Sequence, residues 1–165
     1  WAPEEEALAA LVSANDWPKN WGLLVVPHEV SPEKISSTNK RLRAALSAEC
    51  CYVIDRVGVL RALYSRASLA VVGGGWGAGI HNILEPASHG VPIISGPNIG
   101  RFREALALQN NESLVISHDQ TVLSQIIKST LDIGNKIKLS QSGQVAKDWV
   151  TSQSGSAEKI AKLLP

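Results

Sequence analysis

The sequence predicts an open α/β domain, a Rossmann-like parallel sheet with helices on both faces. Three observations carry that expectation. Short apolar runs recur along the chain, at Gly22–Val26, Tyr52–Ile54, Leu69–Val72, Val91–Ile94 and Leu114–Ile116. Segments with helical periodicity separate them, so strands and helices alternate. The runs are apolar at every position, not at every second one, which is the pattern of a strand covered on both faces.

The elements follow in order. Pro3 and the acids Glu4, Glu5 and Glu6 start a helix, since Pro suits a first turn and acids suit the positive end of the dipole. Leu8, Leu11 and Val12 form its apolar stripe. A strand at Gly22–Val26 ends at Pro27, and Ser31-Pro32-Glu33 caps a helix that runs to about Ser47. The Tyr52–Ile54 strand exits through Asp55-Arg56-Val57-Gly58 into a short helix over Val59–Ser65. The Leu69–Val72 strand leads into a glycine loop. A helix from Asn82 to Gly90 and the Val91–Ile94 strand follow. Further helices are expected over Phe102–Gln109, from Asp119 or Thr121 to Leu131, and over Asn135–Val150, the last weakened by Gly143. Ser154-Gly155-Ser156 introduces a terminal helix bearing Ile160, Leu163 and Leu164.

Composition bounds the function. At 165 residues, 44% hydrophobic and 19% charged, the chain (1–165) is read as a single globular domain. A net charge of +1 argues against a nucleic-acid partner, which normally meets a basic excess. Cys50 and Cys51 are neighbours and poorly placed for a disulfide, so both are read as thiols in a reducing, cytoplasmic setting. No apolar run is long enough to span a bilayer, and no signal peptide is visible. Trp1-Ala2-Pro3 leads straight into a helix where an α/β domain ordinarily starts with a strand. The chain is therefore expected to be a fragment of a longer protein, lacking a first strand.

The chemistry is concentrated between Gly73 and Pro97. Gly73-Gly74-Gly75-Trp76-Gly77-Ala78-Gly79 follows a strand, and His81, Asn82 and Glu85 stand at the entrance of the next helix. Loops at the carboxyl ends of parallel strands are where open α/β sheets bind ligands. Glycines expose N–H groups and let a phosphate approach, so Gly74→Val or Gly75→Val is expected to remove nucleotide binding more than the fold. Gly73-x-Gly75-x-x-Ala78 also fits a dinucleotide fingerprint, but the next strand ends in Ser95-Gly96-Pro97 without the acid that fingerprint needs. Glu85 has two readings. It can accept hydrogen bonds from a ribose diol, or it can complete a capping box with Asn82 three residues before it. The histidines at 28, 81, 89 and 118 have no metal-ligand spacing, so no metal site is expected.

These residues resemble a known family. Gly73–Ala87 with its His81-Asn82-x-x-Glu85-Pro86 core, Gly90-Val91-Pro92 onward through Pro97-Asn98, and Phe102-x-Glu104-Ala105 are similar to the carboxy-terminal half of the Kdo transferases. Val26-Pro27-His28-Glu29 and Ile54-Asp55-x-x-Gly58 extend the likeness, which runs from Trp1 to about Ala107. That family moves 3-deoxy-manno-octulosonic acid (Kdo) from CMP-Kdo to a lipid A precursor in lipopolysaccharide synthesis.

The resemblance implies the carboxy-terminal, donor-binding domain of a two-domain glycosyltransferase-B fold. The acceptor site and a general base would belong to the amino-terminal domain, leaving no catalytic residue in this chain and an isolated chain without turnover. Pro27 and His28 would line the cytidine site, and Val57, Gly58 and Val59 would touch the nucleotide through their backbone. Gly74, Gly75 and the stretch Asn82, Ile83, Leu84 and Glu85 would hold phosphate and ribose. CMP-Kdo would be the donor substrate, with no cofactor and no metal, and the parent enzyme would work at the cytoplasmic face of the inner membrane. One departure stands out. Many members carry Pro-Arg-His where this chain has Pro27-His28-Glu29, which leaves Arg56 or Arg101 to supply the cation. The residues also leave open a UDP-sugar donor domain or a non-catalytic sugar-nucleotide-binding module.

Overall fold

The computed structural model describes residues 2–13, 17–18, 20–43, 51–155 and 160–162. The chain runs α1 (Ala2–Ser13), β1 (Leu23–Val25), α2 (Pro32–Arg43), β2 (Cys51–Val53), α3 (Leu60–Tyr64), β3 (Ala70–Val72), α4 (Leu84–Ser88), β4 (Ile93–Ser95), α5 (Arg103–Asn110), β5 (Leu114–Ile116) and α6 (Gln120–Thr130). A 3-10 turn, Ile133–Asn135, then opens α7 (Lys136–Ser152). Every expected strand forms, and every pairing is parallel. Of the terminal helix, Ile160 is exposed, and Leu163 and Leu164 fall outside the described residues, as do residues 44–50 beyond α2.

Two apolar layers form, one on each face of the strands. One joins Ala70, Val72 and Ile93 to Ile83 and Ala87 near α4, to Leu108 of α5 and to Ala146 of α7. The other joins Leu23, Val25, Val71 and Ile94 to Leu8 and Leu11 of α1 and to Leu123 and Ile127 of α6. Ile93 and Ile94 are neighbours in sequence and both fully buried, one in each layer. That is why the strand reads as a continuous apolar run.

The strands do not form one continuous sheet. β1 and β2 pair with Leu23 opposite Cys51, while β3, β4 and β5 form a separate set in that order. A cleft of about 820 Å3 separates β1 from β3.

The acids of α1 are used differently from the dipole argument. Glu5 is buried beneath α2, where it accepts from Lys34 at 2.9 Å and Arg41 at 3.0 Å. Burial alone would raise its carboxyl, but its cationic partners, Lys34 foremost, hold it below the ordinary carboxylate range. Glu4 is also buried, and its Oε1 accepts the Gly74 N–H at 3.0 Å. These bonds set the amino end of α1 at the carboxyl edge of β3.

Candidate functional site

The site is assembled at the carboxyl ends of β1 and β3. Pro27 and His28 follow β1, while Gly73 and His81 belong to the loop after β3, and all four line the mouth of the cleft. The imidazoles of His28 and His81 meet edge to face with centroids 4.6 Å apart. Asn82 and Glu85 from the start of α4 complete the mouth, and Tyr64 from the end of α3 stands beside them.

Glu85 is the informative side chain. The capping-box reading requires it to reach back to the Asn82 N–H, and among the described residues its carboxylate accepts no hydrogen bond. Asn82, one residue before the N-cap position of Ile83, does support the helix start, its Oδ1 accepting the Leu84 N–H at 2.9 Å. Asn82 thus serves the helix while Glu85 faces the cleft. Burial, and then the negative charge of Glu85, push the Tyr64 hydroxyl up to about 12, so it remains a donor. Burial and the neighbouring His28 lower the His81 imidazole below its ordinary 6.5.

Other expected site residues fall elsewhere. Val57 is 83% exposed on the loop before α3, with Gly58 beside it. Val57, Gly58 and Val59 stand off the cleft wall, and Leu60 is the first residue of that segment to reach it. Ile83 is 1% exposed, so its side chain is spent on the core. Leu84 is partly exposed, and its N–H is already taken by Asn82. Arg56 pairs with Asp55 at 3.3 Å, and Arg101 donates to the Ala78 carbonyl and lies over the Phe102 ring. Neither arginine reaches the mouth. His81, read from the sequence as part of the helix entrance but given no ligand role there, also lines the mouth.

The glycine loop corrects a further expectation. A Cβ on Gly75 would stand 2.5 Å from the Gly96 nitrogen, and one on Gly74, at φ +90°, would stand 2.5 Å from the Gly79 carbonyl oxygen. The loop's own backbone and the β4–α5 loop fill the space that a side chain on Gly74 or Gly75 would need. Its N–H groups are partly spent as well: Gly74 donates to Glu4, and Gly77 and Gly79 donate to the Gly74 carbonyl. Substitution at Gly75 is therefore expected to lower thermal stability together with ligand binding, by pushing two loops apart. Gly77 is exposed, and its nearest neighbour would be 3.6 Å from an added Cβ. Thermal unfolding is expected to show Gly75→Val clearly destabilised and Gly77→Ala within a degree or two of the parent. Equal stability of the two variants would mean that the loop packs more loosely than this.

Among the described residues, no group of three or more His, Cys, Asp or Glu side chains could hold a metal ion. Nor is any helix long and apolar enough to cross a membrane.

Comparison with known proteins gives a consistent answer. The chain is 34% identical over 90 residues to the 3-deoxy-D-manno-octulosonic acid transferase of Rickettsia typhi, a stretch that is 53% of this chain and 19% of that protein. It is 42% identical over 72 residues to the transferase of the same name from Chlamydophila psittaci, covering 42% of this chain and 17% of that protein. The matched stretches span about a fifth of these relatives' length. The C-terminal CMP-Kdo binding domain of WaaA from Acinetobacter baumannii superposes with a TM-score of 0.68 at 23% identity, over 88% of this chain and 84% of that one. At that identity the likeness establishes the fold alone, a Rossmann-like α/β domain with parallel strands. No protein-family profile matches the chain.

Proposed function

We propose that this chain, a relative of the 3-deoxy-D-manno-octulosonic acid transferases, is the donor-binding domain of such an enzyme and that the cleft mouth seats the CMP of CMP-Kdo. The observation that supports this reading is the Glu85 carboxylate. It faces the carboxyl edge of the sheet, unengaged by any described residue, between Asn82 and the His28–His81 pair. A carboxylate there can accept both hydroxyls of a ribose, and a charge-assisted hydrogen bond is stronger than a neutral one. Pro27 offers a flat apolar surface to the cytosine. The two imidazoles line the mouth, where they can donate hydrogen bonds to a phosphate that neither Arg56 nor Arg101 reaches.

The reaction in this reading is an inverting transfer. The acceptor hydroxyl attacks the anomeric carbon of Kdo, the bond to phosphate breaks, and CMP departs with the electron pair. The share of this domain is electrostatic: it stabilises charge that grows on the leaving phosphate. The general base and the lipid A precursor belong to the amino-terminal domain of the parent, which works at the cytoplasmic face of the membrane. The 165 residues alone are therefore expected to bind donor without turning it over. Transfer of Kdo to a lipid A precursor by the isolated chain would contradict this division of labour.

Isothermal titration with CMP, CDP, UMP and UDP tests the ligand class. Tightest binding of CMP is expected. A preference for UDP would reassign the donor, and failure of all four to bind would point to a non-catalytic interaction module.

The histidines add a pH dependence. His81 titrates below 6.5, so it is neutral at pH 7. In the free protein this costs stability as pH falls, because the unfolded chain takes up the proton first. A bound phosphate reverses the preference by favouring the imidazolium. Affinity for CMP is thus expected to rise as pH falls from 7 through 6.5 and to level off once His81 is charged in the free protein too. A pH-independent affinity, or one that His81→Gln leaves equally pH-dependent, would remove His81 from the phosphate.

A further inference from the structure

Tyr64 stands on the cleft beside Glu85, and neither the base nor the phosphate of a nucleotide uses it. It is the last residue of α3, and α3 packs on α4. Its ring lies against the apolar layer that holds Ile83 and Ala87. Glu85, between those two in sequence, lines the same cleft as Tyr64. Among the described residues, neither the phenol oxygen nor the Glu85 carboxylate makes a hydrogen bond. Both residues are held from behind. Ala67 donates its N–H to the Tyr64 carbonyl at 3.2 Å, and Ser88 donates its hydroxyl to the Glu85 carbonyl at 2.8 Å. Pro86, next to Glu85, is buried, and its ring fixes its own φ. Burial first, and then the Glu85 charge, push the Tyr64 hydroxyl up to about 12. A donor that keeps its proton therefore stands beside an acceptor, each on an anchored helix end.

A carboxylate only accepts, whereas a protonated phenol can donate. The pair suits a ligand group that offers both functions in one place. A vicinal diol does so, since each hydroxyl carries one proton and two lone pairs. With its protons turned to Glu85, the diol turns lone pairs outward, where a phenol can reach them. We infer that Tyr64 is a specificity-determining residue, which donates a hydrogen bond to one oxygen of the ribose diol whose protons Glu85 accepts, so that the two side chains together select a ribonucleotide over its deoxy counterparts. This rests on the seating of CMP at the cleft mouth and adds the second half of the ribose contact.

Selection follows from what each group loses. A deoxy sugar withdraws one hydroxyl, so Glu85 loses a donor. Where the missing oxygen is the one Tyr64 meets, the phenol loses its acceptor as well. Polar groups built to bond a ligand and then left facing a C–H penalise the analogue, because bound ligand keeps water from replacing the lost partner. Tyr64 and Glu85 are both half-buried, so a seated ribose shields them further. A tyrosine also brings its hydroxyl on a side chain with two torsions, which costs little ordering on binding.

Isothermal titration of the parent chain, Tyr64→Phe and Glu85→Gln with CMP, 2′-deoxy-CMP and 3′-deoxy-CMP tests this. Phe keeps the ring against the layer of Ile83 and Ala87 and removes only the hydroxyl, so circular dichroism should match the parent. The parent should bind CMP about tenfold or more tightly than either deoxy analogue. Tyr64→Phe should weaken CMP by about three- to tenfold, the range for one neutral hydrogen bond. It should leave unchanged the affinity for the analogue that lacks the oxygen Tyr64 meets. A tyrosine with a purely structural role would lower all three affinities together, and that result overturns the inference. Equal binding of the three nucleotides by the parent overturns it without any variant. CMP binding that falls in Glu85→Gln but not in Tyr64→Phe also overturns it, while leaving the nucleotide site standing. If the parent binds none of the three, the nucleotide reading falls and this inference falls with it.

Discussion

Glu85→Ala is expected to weaken CMP binding by about tenfold or more while leaving the fold intact. A hydrogen bond to a charged group contributes roughly 1.5–3 kcal/mol, and about 1.4 kcal/mol is tenfold in affinity. The fold should survive because the Glu85 side chain bonds to no described residue and Ala is a good helix former. His89→Ala is the matched control. His89 lies at the far end of α4, where its backbone N–H donates to the Pro86 carbonyl, and it is not on the cleft. Equal affinities of the two variants, with unchanged circular dichroism, would return Glu85 to a local helix role and remove the main support for a ribose site.

The largest effect on stability is expected at Gly143. A Cβ there would stand 1.9 Å from the Gly90 carbonyl oxygen and 3.1 Å from the Pro92 side chain. α7 crosses the end of α4 at this point, and the nearest obstacle is backbone, which cannot swing aside. Overpacking of this kind costs about 3 kcal/mol or more. Against it, Ala is favoured over Gly inside a helix by about 1 kcal/mol. The clash wins by roughly 2 kcal/mol, which lowers Tm by about 4–8 °C for a chain of this size. Gly134→Ala, with nothing within 4 Å of the added atom, should be close to neutral. A Gly143→Ala variant as stable as the parent would mean that helix propensity, not the crossing, decides this position.

The sequence reveals what is local and hides what is not. Five strands could be read from continuous apolar runs; Ile93 and Ile94 show coverage on both faces in adjacent residues, while Leu24, Tyr52 and Val115 leave one face of β1, β2 and β5 exposed. Asp119 could be read as a cap because its carboxylate accepts the Thr121 N–H two residues away. Glu4 and Glu5 could not be placed from their surroundings. Their partners lie 70 and 29 residues on, at Gly74 and Lys34, and a dipole argument sees only the first turn. Gly143 looked like a weak point in a helix until Gly90 was seen pressed against it, and Gly75 looked like open space until Gly96 was seen filling it.

The same limit applied to the site. Asn82 and Glu85 were legible from the residues and Pro27 and His28 from the resemblance, and the four share one cleft. His81 joined them through a contact with His28 that no spacing rule contains. The Val57–Val59 loop was assigned to the nucleotide through a resemblance, and the structure leaves it off the cleft wall. The break between β1 and β3 was equally hidden, because nothing in the runs themselves says which strands are neighbours.

If CMP sits at the cleft mouth, a CMP titration of the isotope-labelled chain should move the amide chemical shifts there. Saturable shifts are expected at His28, His81, Asn82 and Glu85, with UMP producing the same pattern more weakly. Shifts confined to another face, or saturation by CMP that leaves Glu85 and both histidines unmoved, would contradict it.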